Sequence, residues 1–256
     1  MPRKYQHNFS AILPEAMYNR AQRERKAETM RRVLQAHFID TEALSVLDVS
    51  ASAGFIDAYL ADHFYQVTGV DIDVQALNHA RTHLGKKNLT FARADALNLP
   101  FARERFEVVI CTHLYEHVPD AACLMREIYR VLTPGGVCYF AAGNRLQWME
   151  PHYRLPLLSC LPRPLAQAYF RLSGRGNYYY EKHLTRRSLK KLVKNYRIID
   201  YTAKIVNDPE KYAATYMLVP DSWQHAVAEF VVAHANSLFP TYIWLLEKPV
   251  RVHPGG

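Results

Sequence analysis

SVLDVSASAG at residues 45–54 and QVTGVDID at residues 66–73 each run from a short apolar stretch into an acid followed by small or polar residues. Apolar runs of this length, closed by a turn, read as strands buried on both faces of a parallel sheet. Working outward, LTFARA (89–94), FEVVICT (106–112) and GVCYFAA (136–142) repeat the pattern, separated by helical stretches near Phe55–His63, Val74–Leu84 and Pro119–Leu132. Strand and helix alternating in this rhythm predict right-handed crossovers and a doubly wound α/β sheet. Pro134-Gly135-Gly136 is expected to end a helix and start the fifth strand. Upstream, the apolar spacing over Met17–Phe38 predicts an amphipathic entry helix.

After the fifth strand the rhythm breaks. Residues 144–182 are rich in proline and in Trp, Tyr, Leu and Phe, too long for an ordinary connection, and predict an insertion acting as a lid or substrate-binding element. Beyond it, Thr185 is placed to N-cap a basic helix through Asn195, YRIIDYTAKIV (196–206) reads as a sixth strand, Asp221–Leu238 as a helix and TYIWLLEK (241–248) as a last strand. The chain is read as one domain over 1–256: a helical segment at 1–40, a core at 44–142, the insertion at 144–182, and the rest of the sheet at 183–248.

The 256 residues are 49% hydrophobic and 22% charged, which excludes disordered and fibrous classes. Four cysteines at wide separations give neither a CxxC zinc pattern nor a disulfide framework, so no metal ligands are assigned and a reducing compartment is expected. The first twenty residues carry no apolar signal region and no run is long enough to span a bilayer, so a cytoplasmic protein is expected. Net charge is +8 and is concentrated: Arg163–Arg197 holds ten basic residues against Glu181 alone. Such a segment suits a polyanion, a phosphorylated substrate or an anionic membrane surface, or is simply a solvated helix face.

In a doubly wound sheet the turn after the first strand and the acid closing the second face one cleft, and Asp71 lies 23 residues beyond Asp48, a spacing that suits an acid bonded to both ribose hydroxyls of an adenosine cofactor. The ordered set LDVSASAG, GVDID, FARADALNLPF, FEVVICTHLYEHVPD and EIYRVLTPGGVCYFAA resembles a class I S-adenosylmethionine-dependent methyltransferase over Leu44–Ala142. The resemblance implies a seven-stranded Rossmann-like methyltransferase sheet, with the aromatic and Pro-rich insertion after strand five. It also implies S-adenosyl-L-methionine as cofactor. Asp48 and the turn through Ser50, Ala51, Ser52 and Gly54 would lie beside its methionyl end, Asp71 on the ribose, Ile72 on the adenine, Asp95 and Ala96 at the adenine amino group, and Thr112 near the sulfonium. The family's DxGxGxG turn departs here: Ser50 and Ser52 stand at its first two glycines and only Gly54 remains.

Near the implied transfer point, His117, His113 and Glu116 are the candidate catalytic groups. Transfer from a sulfonium also proceeds by positioning alone, with EHVPD merely orienting its loop. Asn144, His152 and Tyr153, just after strand five, are candidate acceptor-binding residues, set against a reading of the insertion's aromatics as its own small core. The expected reaction is methyl transfer to oxygen or carbon, less so nitrogen, of a small or lipid-like acceptor, with peripheral contact at an anionic membrane. A nucleic-acid methyltransferase and a noncatalytic binding protein with this fold remain as alternatives.

Overall fold

The computed structural model describes residues 9–12 and 14–250, so the first eight residues of the expected N-terminal helical segment lie outside the described part. In chain order come α1 (Phe9–Ile12), α2 (Pro14–Tyr18), α3 (Arg20–Gln35), β1 (Ser45–Asp48), α4 (Phe55–Leu60), β2 (Gln66–Asp71), α5 (Val74–His83), β3 (Leu89–Arg93), β4 (Phe106–Thr112), α6 (Ala121–Val131) and β5 (Leu132–Gly143). Then follow β6 (Met149–Glu150), β7 (Leu155–Pro156), α7 (Arg163–Leu172), α8 (Arg186–Leu192), β8 (Arg197–Asp200), α9 (Thr202–Asn207), α10 (Trp223–His234) and β9 (Thr241–Glu247). Polar residues start the helices where side-chain oxygens can take orphan N–H groups: Asn19 accepts from Gln22 N, Asp73 from Gln75 N and Ala76 N, Asp120 from Cys123 N, and Thr185 from Ser188 N.

Seven strands form one sheet in the order β3-β2-β1-β4-β5-β9-β8. The first five strands are mutually parallel, and β9 runs antiparallel between β5 and β8. Strand order reverses between β1 and β4, so a crevice opens there at the carboxyl ends of the parallel strands. Period-two alternation divides the core into two layers. Val109, Cys111, Cys138, Phe140, Trp244 and Leu246 pack under α6 and α8, while Val108, Ile110, Val137, Tyr139 and Leu245 pack under α3, α4 and α9.

Three local expectations are corrected. The entry helix begins at Arg20 rather than Met17, because Asn19 caps it and a separate short helix, α2, precedes it. Residues Thr202–Asn207 are helical rather than a continuation of β8. The Asp200 carboxylate accepts from Thr202 N at 2.9 Å, an Asx turn that ends the strand. Pro134-Gly135-Gly136 lies inside β5 rather than ahead of it, in an irregularity where pairing jumps from Phe106↔Leu132 to Val108↔Val137. The insertion folds into the β6–β7 hairpin and α7, around a small core of Leu155, Leu158, Ala166, Phe170 and Tyr179.

Candidate functional site

The turn after β1 is built on acids below it and helices above it. Asp48, at the end of β1, is 1% exposed and its Oδ1 accepts from both Ser50 N (2.7 Å) and Ser50 Oγ (3.1 Å). Burial pushes its carboxyl up to about 7, against the pull of the two Ser50 bonds. Asp71 Oδ2 accepts from Ser52 N at 2.8 Å and Oδ1 from Asp73 N at 2.9 Å; burial raises this acid too. Each oxygen has a second lone-pair direction beyond those bonds. Asp57, on α4 and fully buried, is held well above the usual carboxylate range by burial and by Asp48 beside it.

Serine is tolerated in this turn for two different reasons. Ser50 turns its hydroxyl back on Asp48, whereas Ser52 adopts φ 51°, a left-handed conformation, and directs its hydroxyl at Met17 Sδ (3.2 Å). Gly54 has no such latitude: at φ 77° a Cβ would stand 2.5 Å from Phe91 Cζ and 2.8 Å from Ala80 Cβ.

Sequence reasoning missed the roof of this turn. Met17 and Arg23 line the small hollow formed by residues 51–56, and Arg23 Nη2 stands 3.0 Å from Met17 Sδ. Farther along, Ser10 N donates to Asp73 Oδ2 at 2.9 Å, and the Phe9 ring packs 4.8 Å from His117 and 5.9 Å from His152. Residues 9–12 and 14–18 therefore lie between the β1 turn and the loop after β4. Arg23 sits in an amphipathic pattern indistinguishable from a solvated helix face, and nothing local marks it.

Across the crevice the candidate catalytic and acceptor residues converge on one buried polar cluster. Tyr115 and Glu116 are buried after β4, with Tyr115 Oη donating to Gly143 O at 2.5 Å. His113, at φ 52°, brings Nδ1 to 3.3 Å from Glu116 Oε1. Burial alone would raise Glu116, but His113, His183 and His117 outweigh it and hold the carboxyl at about 2. Burial drives His117 down to about 3, so it is a neutral imidazole near pH 7. Its Nδ1 stands 3.7 Å from Glu181 Oε1. His152 Nδ1 meets Glu150 Oε1 at 2.7 Å, and Tyr153 donates its N–H to Glu150 Oε2 and its hydroxyl to Glu181 Oε1. Glu181 and His183 were not singled out as ligands by the sequence, for they lie 31 and 33 residues beyond Glu150 and meet it only through the insertion's return path.

The Asn144 side chain is engaged within the fold. Its amide nitrogen is held by Ser237 O, Phe239 O and Tyr242 Oη, its Oδ1 accepts from Leu146 N, and it is fully buried, so it ties the insertion to the start of β9. The Tyr153 ring faces the insertion's core, 4.6 Å from Phe170. Of the remaining adenosine-side residues, Ile72, Asp95 and Thr112 are half-buried and Ala96 is buried. Asp95 Oδ1 accepts from Leu97 N in the loop after β3. They lie at the carboxyl ends of β2, β3 and β4, the same sheet edge as the Ser50–Gly54 turn.

Residues 47–140 match the family described as a methyltransferase domain. A ubiquinone biosynthesis O-methyltransferase of Psychrobacter cryohalolentis is 31% identical over 153 residues, covering 57% of this chain and 56% of the relative. A ubiquinone/menaquinone biosynthesis C-methyltransferase of Desulfotalea psychrophila is 33% identical over 154 residues, covering 56% and 63%. The chain thus spans somewhat over half the length of these curated relatives. A chain from the Haloferax volcanii complex between the Trm112 methyltransferase activator and a putative methyltransferase is similar in fold, with TM-score 0.60, 16% identity and coverage of 96% and 99%. A putative methyltransferase from Bacillus halodurans follows the same fold at TM-score 0.53 and 16% identity, covering 86% and 99%.

Proposed function

We propose that this chain, whose residues 47–140 match a methyltransferase-domain family, moves the methyl group of S-adenosylmethionine to oxygen or carbon of a small, lipid-like acceptor. The observation that carries the reading is the convergence of Asp48 and Asp71 on the Ser50–Gly54 turn at the sheet's topological switch point. The residues present fit the cofactor's chemistry. Asp71 keeps lone pairs for two ribose hydroxyls, and the acidic floor of Asp48 suits a cationic methionyl end, with Arg23 near enough to pair a carboxylate. Bound there, S-adenosylmethionine supplies an electrophilic methyl on a good leaving group.

The protein's part is then to orient and to exclude water. Residues 9–12 and 14–18 roof the crevice, Tyr115 fixes the loop after β4 to β5, and His113, the most exposed histidine of the cluster, is the residue best placed to hydrogen-bond an acceptor. Two curated relatives carry names from quinone biosynthesis, one an O- and one a C-methyltransferase, which supports a lipid-like acceptor without choosing the atom. Among the described residues no helix is long and apolar enough to cross a membrane. A peripheral approach to an anionic bilayer is supported instead by Trp148, Leu157, Leu165 and Leu172, exposed on the insertion, and by exposed Arg187, Lys190, Lys191 and Lys194 on and just after α8.

The test is transfer of isotopic methyl from S-adenosylmethionine into a lipid extract of cells lacking the protein. Label in an organic-soluble product, released as methyl iodide by hot hydriodic acid if an ether or retained if a C-methyl, supports the reading. Label confined to protein or nucleic acid contradicts it.

A further inference from the structure

We infer that Glu150, His152 and His183 form a binding site for one divalent transition-metal ion of the zinc class. A carboxylate oxygen of Glu150 and one ring nitrogen from each histidine lie within 4.8 Å of one another. Glu150 Oε1 stands 2.7 Å from His152 Nδ1 and 3.5 Å from His183 Nε2. Zinc ligands sit at about 2.1 Å from the ion, so donor atoms stand roughly 3.4 Å apart around a tetrahedral centre. Small side-chain rotations bring this set to that spacing.

The independent observation is His183. Its side chain is 1% exposed, Nδ1 has no hydrogen-bond partner among the described residues, and Nε2 meets only the Glu150 carboxylate, at a long 3.5 Å. A buried imidazole left this way costs about 1–3 kcal/mol, which a ligand on one nitrogen recovers. Charge points the same way. Glu150 and Glu181 are both buried, and among the described residues the only basic side chains within 4 Å of their carboxylates are histidines, so no Lys or Arg there balances them.

Neighbouring groups form the support such an ion needs. Tyr153 N fixes Glu150 Oε2, and a second set of His117, His152 and Glu181 shares His152, its donor atoms again within 4.8 Å of one another. Two imidazoles and one carboxylate with positions left open suit zinc or ferrous iron rather than calcium or magnesium. A Cβ on Gly143 would come within 3.1 Å of His183 Nδ1 and 3.8 Å of Glu116 Oε1, which puts the site against the carboxyl end of β5, where the crevice lies. Binding of the ion does not depend on methyl transfer.

Chelator-treated full-length protein titrated with Zn2+ and with Co2+, followed by calorimetry and by electronic absorption, tests the site. One equivalent is expected, with affinity lowered at least about a hundredfold by His183→Gln and by Glu150→Gln. His79 and His83, stacked 4.5 Å apart one turn apart on α5, are the obvious adventitious ligands, and the double variant His79→Ala/His83→Ala is expected to bind as the wild type does. Absence of stoichiometric binding by the wild type overturns the proposal. So does an equivalent that disappears with the α5 pair but survives His183→Gln. Should Glu150→Gln not fold, X-ray absorption on the Co2+-loaded wild type decides: two imidazoles with a carboxylate support the site, and a shell of waters contradicts it.

Discussion

Ser50 and Ser52 occupy equivalent-looking positions yet carry opposite costs. Ser52 holds φ 51°, a conformation that costs a non-glycine residue about 1–2 kcal/mol, while Ser50 donates to Asp48 from ordinary backbone. Ser52→Gly is therefore expected to raise stability by about 0.5–1 kcal/mol, because relief of strain exceeds the added unfolded-state freedom. Ser50→Gly should lower it by about 1 kcal/mol through the lost hydrogen bond. Urea denaturation of the two variants checks the signs, and equal signs would contradict the assignment of strain to Ser52. Asp48 makes a pH prediction. Its folded-state value near 7 exceeds its unfolded value near 4, so the folded state holds an extra proton between them. The stability this adds is complete below pH 4 and is lost as pH rises to about 7. A cationic ligand reverses the preference by favouring the ionised acid, so S-adenosylmethionine affinity should climb between pH 6 and 8, at most about tenfold per unit, and be flat in Asp48→Asn. The acids at strand ends were legible in the sequence because a doubly wound sheet fixes where strand ends point. The left-handed Ser52 and the buried Asp57 were not, since their surroundings come from residues distant in sequence: Ser52 Oγ meets Met17 Sδ, and Asp57 Oδ1 lies 2.8 Å from where a Cβ on Gly69 would stand.

At the level of elements, α8 shows what a charge run hides. Arg186 donates to Asp200 Oδ2 at 3.1 Å and lies over Tyr242, so it fastens the helix to the sheet. Arg187, Lys190, Lys191 and Lys194 are exposed and line one concavity with Arg186 and Ser237. Replacing the four exposed residues by Gln should abolish sedimentation with anionic vesicles, since each contributes about 1 kcal/mol near such a surface. Cofactor affinity should not change. Equal sedimentation of wild type and variant would make the run a solvated face. The helix itself was legible from Thr185 and its spacing. The end of β8 was not, because the apolar residues of YRIIDYTAKIV recur without a period that separates strand from helix, and only the Asp200 turn divides the two.

For the whole molecule, alternation of apolar runs with helical stretches was enough to read the sheet, because a parallel sheet buried on both faces leaves a signal in every strand. The roof over the crevice and the histidine–glutamate cluster escaped that reading. Both join residues brought together by the path of the chain: Phe9 with His117, Glu116 with His183, Glu150 with His183 across the insertion. Local periodicity carries no trace of such meetings. The claim on which the proposed methyl transfer depends is that the crevice between β1 and β4 takes the adenosine cofactor on Asp71. Calorimetric titration with S-adenosylhomocysteine measures it most directly: one site per chain, weakened at least about tenfold in folded Asp71→Ala by loss of charge-assisted hydrogen bonds. No binding by the wild type, or equal binding by the folded variant, would contradict it.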